Sequence, residues 1–156
     1  MIVQYPHYPD LVSEMVEICK EEMEHFDMVY KKILERGFTM GFERKDPYVK
    51  DLSSYLKQNH DNSSRESHFV NQMLFAAMIE ARSCERFKIL SQQLKDEDLK
   101  KFYRMLMKSE ARHFMTFLKF AKKYSSSIDV DERWKLFLAF EAGLMKKYGK
   151  EQTMHG

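Results

Sequence analysis

Apolar residues recur at alternating steps of three and four along three long stretches of this chain, and a glutamate interrupts each stripe near its middle. The first stripe reads Val12, Met15, Cys19, Glu22, Phe26, Val29, Ile33, with His25 one turn beyond Glu22 on the adjoining edge. The second reads Phe69, Met73, Ala76, Glu80, Ser83, Phe87, Leu90, Leu94, and the third Leu99, Tyr103, Leu106, Glu110, His113, Phe117, Phe120, Tyr124. Such spacing marks one face of an α-helix, so an all-α chain is expected. Five Gly and three Pro among 156 residues, with 44% hydrophobic and 32% charged, suit long amphipathic helices better than a turn-rich sheet.

Helix signals divide the chain further. Asp10 is read as the N-cap of a helix over about residues 11–36 that stops at Gly37, leaving residues 1–10 as a lead-in loop. Residues 37–68, with two glycines, Pro47 and a polar tract, form a long crossover enclosing a short helix after Pro47. Helices over about 69–94 and, capped by Asp96, to about Tyr124 make a hairpin. An extra C-terminal helix over 131–148 carries Trp134, Phe137, Leu138, Leu144, Met145 and Tyr148 before Gly149. The expectation is a single helical domain over 1–156 whose crossover joins the first two long helices.

No apolar run is long enough to span a bilayer, and "MIVQYPHYPD" lacks the basic-then-apolar layout of a signal peptide, so a cytoplasmic location without a membrane partner is expected. Cys19 and Cys84 fall inside helical patterns and read as buried thiols of a reducing compartment. Net charge is only +2, but residues 1–36 hold four Lys or Arg against eight Asp or Glu, whereas residues 95–124 hold nine against four. Lys100, Lys101, Arg104, Lys108, Lys119, Lys122 and Lys123 therefore make the third long helix a candidate polyanion surface, with a solvated helix face as the competing reading. Arg36, Arg44, Lys45 and Lys50, in and before the crossover, are further candidates for phosphate contacts.

An ionised carboxylate in an apolar core without a partner costs several kcal/mol, so three separate insertions point to one shared cation. The levels agree. Glu110 and His113 average position 111.5, and reflection through a turn at 95.5 gives 79.5, which is Glu80. Two ExxH pairs and a lone Glu, all facing inward, match the way helical bundles hold two iron or manganese ions. With six His and 15 Glu, about 0.6 ExxH matches arise by chance, so position on the stripe carries more weight than the motif. The competing reading has Glu22 and Glu110 as partly exposed helix residues and the histidines as satisfied core groups. Glu85, whose own stripe ends in Lys88, is read as peripheral. A complete site needs a fourth carboxylate. Residues 22–25 reflected through a turn near 7 or 8 land about nine residues before Met1, and Glu141, near the level of Glu110, is the alternative.

"EEMEHF" at 21–26, "RKDPYV" at 44–49, "IEARSCERF" at 79–87, "FYRMLMKSEARHF" at 102–114 and the terminal "MHG" resemble the tRNA 2-methylthio-isopentenyl-adenosine hydroxylases, the MiaE-like branch of the ferritin-like di-iron proteins. The resemblance covers nearly the whole chain. It implies a ferritin-like bundle with Glu22, His25, Glu80, Glu110 and His113 as iron ligands. It also implies a helix upstream of "IVQYP" whose Cys-Glu pair supplies the remaining carboxylate, this chain being expected to begin just after it. The implied activity is a monooxygenase reaction: O2-dependent hydroxylation of the isopentenyl group on a modified adenosine of the tRNA anticodon loop. It requires two Fe ions, a reductase or ferredoxin-like donor of two electrons, and tRNA as partner, in a monomer or small oligomer. Ser83, small where the other two stripes carry His, is expected to leave room beside the metals for O2 or the prenyl tail. Two other readings stay open: a ferroxidase or iron-storage protein using the same cluster, and a metal-free helical interaction module.

Overall fold

The structure, a computed structural model, describes residues 1–42, 45–58 and 64–148. Among them five α-helices follow a short 3-10 turn at Ile2–Gln4: α1 (Pro9–Glu35), α2 (Pro47–Gln58), α3 (Arg65–Gln93), α4 (Glu97–Lys123) and α5 (Val130–Tyr148). No described helix is long and apolar enough to cross a membrane. The chain divides into two compact units, residues 1–45 and 46–156.

In the first unit, α1 starts one residue before the expected cap. Tyr8 is the N-cap, and Pro9 takes the first turn, where its missing N–H costs nothing; Asp10 instead supplies a negative charge near the helix N-terminus. The helix ends as expected, on Gly37 at φ +75°. Gly37 N–H donates to Leu34 O at 2.9 Å and Phe38 N–H to Ile33 O at 3.1 Å, the paired bonds that close a helix through a left-handed residue. The buried positions of α1 are Leu11, Met15 and Ile18, so the buried face is rotated from the expected stripe and ends early. Cys19, expected buried, is therefore exposed, and Phe26 and Val29 remain 54% and 38% exposed.

The second unit is organised around α3. Ser64 caps it by accepting from Ser67 N–H at 3.0 Å, which starts the helix four residues ahead of the expected Phe69. Its N-terminal half is buried on several sides, with Val70, Met73, Leu74 and Ala77 all at 0% exposure. Burying side chains of the Met73 and Leu74 kind is worth about 1.5–3 kcal/mol each. Three residues then turn the chain into α4, whose cap is the expected one: Asp96 accepts from Asp98 N–H at 2.9 Å and Leu99 N–H at 3.1 Å. Ring contacts set the antiparallel register, Phe87 against Tyr103 at 5.6 Å near the turn and Phe69 against Tyr124 at 6.0 Å at the far end. Between them Cys84 Sγ, half-buried rather than buried, donates to Met107 O at 3.5 Å. Each pair is almost equidistant from residue 95.5.

The last helix packs across α2 and α3. Tyr55 of α2 stacks on Phe140 at 3.9 Å, and Tyr148 donates to Asp51 at 2.7 Å. Arg133 donates to Ser67 Oγ at 2.9 Å and Asn71 Oδ1 at 3.1 Å. The turn before α5 is held by Glu66, whose Oε1 accepts from Ser126 N–H at 2.6 Å and Ser127 N–H at 2.8 Å, with the Ser125–Ser127 hydroxyls adding further bonds. The Ser127 and Ser126 N–H groups hold the Glu66 carboxyl at about 2, against an ordinary 4.5. A lowered folded-state value means that the stabilisation is complete above pH 4.5 and disappears as pH falls towards 2. Thermal melts of wild type and Glu66→Gln across this window should differ by a constant margin above about pH 5, a margin that closes on acidification towards the acid limb of the titration.

Candidate metal centre

The hairpin register places Glu80 of α3 level with Glu110 and His113 of α4. Three residues separate Glu110 from His113, close to one helical turn, so both project from one face of α4 towards α3. Glu110 is 5% and His113 1% exposed, while the Glu80 side chain is 13% exposed. His113 Nδ1 lies 3.8 Å from Glu80 Oε2, and one donor atom from each of the three residues falls within 4.8 Å of the others. Neighbouring buried carboxylates repel and forfeit hydration, a cost that a shared cation removes. Their oxygens and the imidazole nitrogen are the donor types that iron and manganese take in helical bundles. A separation under 5 Å is close to the span of two donors across one ion, about 4.0–4.4 Å, and suits two adjacent ions as well. The donor set fits.

In the first unit, Glu22 and His25 face each other one turn apart on α1, with His25 Nδ1 3.3 Å from Glu22 Oε1. The expectation that Glu22 is buried at mid-stripe is corrected: its side chain is 45% exposed and that of His25 14%. Glu22 stands beyond Ile18, the last buried position of α1, where the helix face opens to solvent.

A second polar network occupies the α2–α3–α5 side. Glu141, weighed from sequence as a fourth metal-binding carboxylate, is 8% exposed and engaged there: Tyr48 OH donates to its Oε1 at 3.2 Å, and Arg82 Nε lies 3.4 Å away. Burial pushes the Glu141 carboxyl up, opposed by the Arg82 charge and the Tyr48 bond. Burial, with the neighbouring Glu141 charge, likewise drives the Tyr48 hydroxyl above the phenol range. Arg82 also pairs with Glu85, which is exposed. Sequence reasoning did not single out Tyr48 and Arg82. The signal available for Tyr48 was its place at the head of Tyr48, Leu52, Leu56, the buried stripe of α2. Burial raises the Cys84 thiol and the Glu110 charge adds to it, so Cys84 stays a neutral donor beside the cluster. Ser83 is 5% exposed on α3, one turn from Glu80. Of the candidate phosphate contacts, Lys45 and Lys50 are exposed, Arg36 is part-buried and donates to Lys32 O at 3.4 Å, and Arg44 lies outside the described residues.

The family model described as tRNA-(MS[2]IO[6]A)-hydroxylase (MiaE) matches residues 1–156. The chain belongs to the MiaE family. A tRNA 2-(methylsulfanyl)-N(6)-isopentenyladenosine(37) hydroxylase of Pseudomonas putida is 32% identical over 155 residues, covering 99% of this chain and 73% of that protein. The Salmonella typhimurium protein of the same name is 34% identical over 148 residues; the match takes in 93% of this chain and 51%, about half, of the relative. Among solved structures, a Synechococcus protein titled "Protein 43 with aldehyde deformylating oxygenase activity" superposes with a TM-score of 0.85 at 27% identity. It covers 100% of this chain and 77% of its own. This MiaE-family chain is thus all-α and ferritin-like, as expected from its stripes and its resemblance.

Replacing Glu141 by Gln removes the negative charge that faces Arg82 and should cost about 1–3 kcal/mol in chemical denaturation. Its bound divalent metal, measured by elemental analysis, should stay at the wild-type stoichiometry. Lost metal with unchanged stability would place Glu141 among the ligands instead.

Proposed function

We propose that this chain is an iron-dependent, O2-using hydroxylase that acts on the isopentenyl group of 2-methylthio-isopentenyl-adenosine in tRNA. The observation that carries the proposal is the cluster of part-buried Glu80 with buried Glu110 and His113 in a chain that belongs to a tRNA hydroxylase family. The names of both curated relatives support the substrate.

Glu80, Glu110 and His113 would hold iron from the α3–α4 side, and Glu22 with His25 would supply the matching ExxH pair from α1. Bound iron supplies the activation of O2 that amino-acid side chains lack, inserting one oxygen atom into an unactivated C–H bond while the other leaves as water. A reductase or ferredoxin-like partner provides the two electrons for that balance. The protein fixes and shields the site. His113 is oriented by the α4 backbone and held at 1% exposure, and Leu106 and Phe117, at 1% and 5%, continue its face as apolar walls that exclude water. Ser83 leaves a small side chain one turn from Glu80, where a larger one would fill space beside the metals.

Protein reconstituted anaerobically with ferrous iron, then given tRNA carrying the modified base, a reductant and air, should yield a nucleoside one oxygen atom heavier by mass spectrometry. His113→Ala or Glu110→Ala should lower iron affinity and product at least about 100-fold while the far-ultraviolet helical signal persists. Iron oxidation with unmodified tRNA, in a shell-sized assembly, would favour the ferroxidase reading. Ser83→Leu should slow tRNA turnover at unchanged iron stoichiometry, and unaltered turnover would remove Ser83 from the pocket.

A further inference from the structure

The face of α4 turned away from Glu110 and His113 carries a row of cations. Lys101, Arg104, Lys108, Arg112, Lys119 and Lys122 are all exposed and fall on one stripe, the exposed Met115 holding the place between Arg112 and Lys119. At 1.5 Å rise per residue the row runs about 32 Å, with neighbouring cations about 4.5–6 Å apart along the axis except across Met115, where Arg112 and Lys119 are about 10.5 Å apart. At 100° per residue its centre lies roughly 160° around the helix from the buried Leu106, Glu110, His113, Phe117 face. The acidic residues of α4 are Glu97 and Asp98 in its first turn and the buried Glu110, so beyond the first turn no exposed acid interrupts the row.

Pairing separates this row from an ordinary solvated helix face. On α1, Lys20, Lys31 and Lys32 each reach an acid one turn away, at 2.6, 2.5 and 3.4 Å, the lattice of exposed pairs that supports a helix in water. On α4, Lys101, Arg104, Lys108 and Lys119 make no ion pair among the described residues; Arg112 leans on Ser109 Oγ at 3.5 Å, and Lys122 meets Asp131 at 2.6 Å. Four unpaired cations along one line repel one another, a cost that an extended polyanion reverses by displacing counterions.

We propose that the outward row of α4, from Lys101 to Lys122, is the docking surface for the phosphate backbone of the RNA substrate. The proposal rests on the reading that the substrate is an RNA, and it assigns positioning to the side of α4 opposite the metal-binding residues. Cations strung along one helix face suit the repeating charge of a nucleic-acid strand, and they contact phosphate rather than base, so the row sets affinity and register without reading sequence.

The test is the salt dependence of tRNA binding, followed by fluorescence anisotropy with the full-length protein, iron-loaded and metal-free. The row variant Lys101→Gln, Arg104→Gln, Lys108→Gln, Lys119→Gln should bind at least about tenfold more weakly at low salt. Its slope of log affinity against log salt should be shallower by about three, since each phosphate contact contributes about 0.7–0.9. A charge-matched variant, Lys20→Gln, Lys31→Gln, Lys32→Gln, Lys135→Gln, should change the slope by less than about one. Wild-type affinity and slope in the row variant, or an equal loss in the charge-matched one, would overturn the docking surface. So would a row variant that loses binding to anionic lipid vesicles while binding tRNA normally. A slope lost only in the row variant upholds the surface even if wild-type protein leaves every nucleoside unmodified, a result that would sink only the hydroxylase reading.

Discussion

Two carboxylates and an imidazole are held within 4.8 Å of one another between α3 and α4, and the second unit is built so that they meet. Water would separate and screen them; burial does neither. The hairpin keeps them together by controlling level. A three-residue connection, a cap at Asp96 that fixes where α4 begins, and ring contacts at both ends of the pair leave α3 and α4 one way to align, and in that alignment Glu80 faces Glu110 and His113. A slip of one residue would turn α4 by about 100° and carry His113 out of the site.

α4 is thus a helix with two occupations. Its inner face is mostly apolar, which is why two polar residues in it are costly enough to require a cation. Its outer face is basic, and beyond the Lys100–Glu97 pair of its first turn Lys101, Arg104, Lys108 and Lys119 make no ion pair among the described residues, unlike the lysines of α1. On the functional reading proposed, one rigid element carries the ligands on one side and meets the RNA on the other, so the two faces share a fixed geometry. Glu141 shows how the fold separates buried acids by role. Held by Tyr48 and Arg82, it ties α5 to α2 and α3. Its charge is balanced by a guanidinium rather than by a metal.

The helical stripes, the cap at Asp96, the stop at Gly37 and the common level of Glu80, Glu110 and His113 were legible from residue spacing, because each follows from helix geometry and counting along one hairpin. Some features were not legible. Cys19 and the later half of the α1 stripe are exposed although their spacing is that of a buried face, since periodicity states which residues share a side and not what covers it. Glu22 is half exposed for the same reason. Tyr48 and Arg82 escaped notice because their partner lies 93 residues from one and 59 from the other along the chain, and no local pattern encodes such a pairing.

By itself, then, the sequence determined that the chain is helical, where α4 begins, and that acids interrupt apolar stripes at matching heights. Those are consequences of backbone geometry and of side-chain polarity, both written locally. Only the tertiary structure decided which acids are buried, that Glu141 answers to Arg82 and Tyr48, and that Lys101, Arg104, Lys108 and Lys119 of α4 stand exposed without an ion pair among the described residues. These depend on which surfaces remain open once the helices have packed, a property of neighbours brought together from distant parts of the chain.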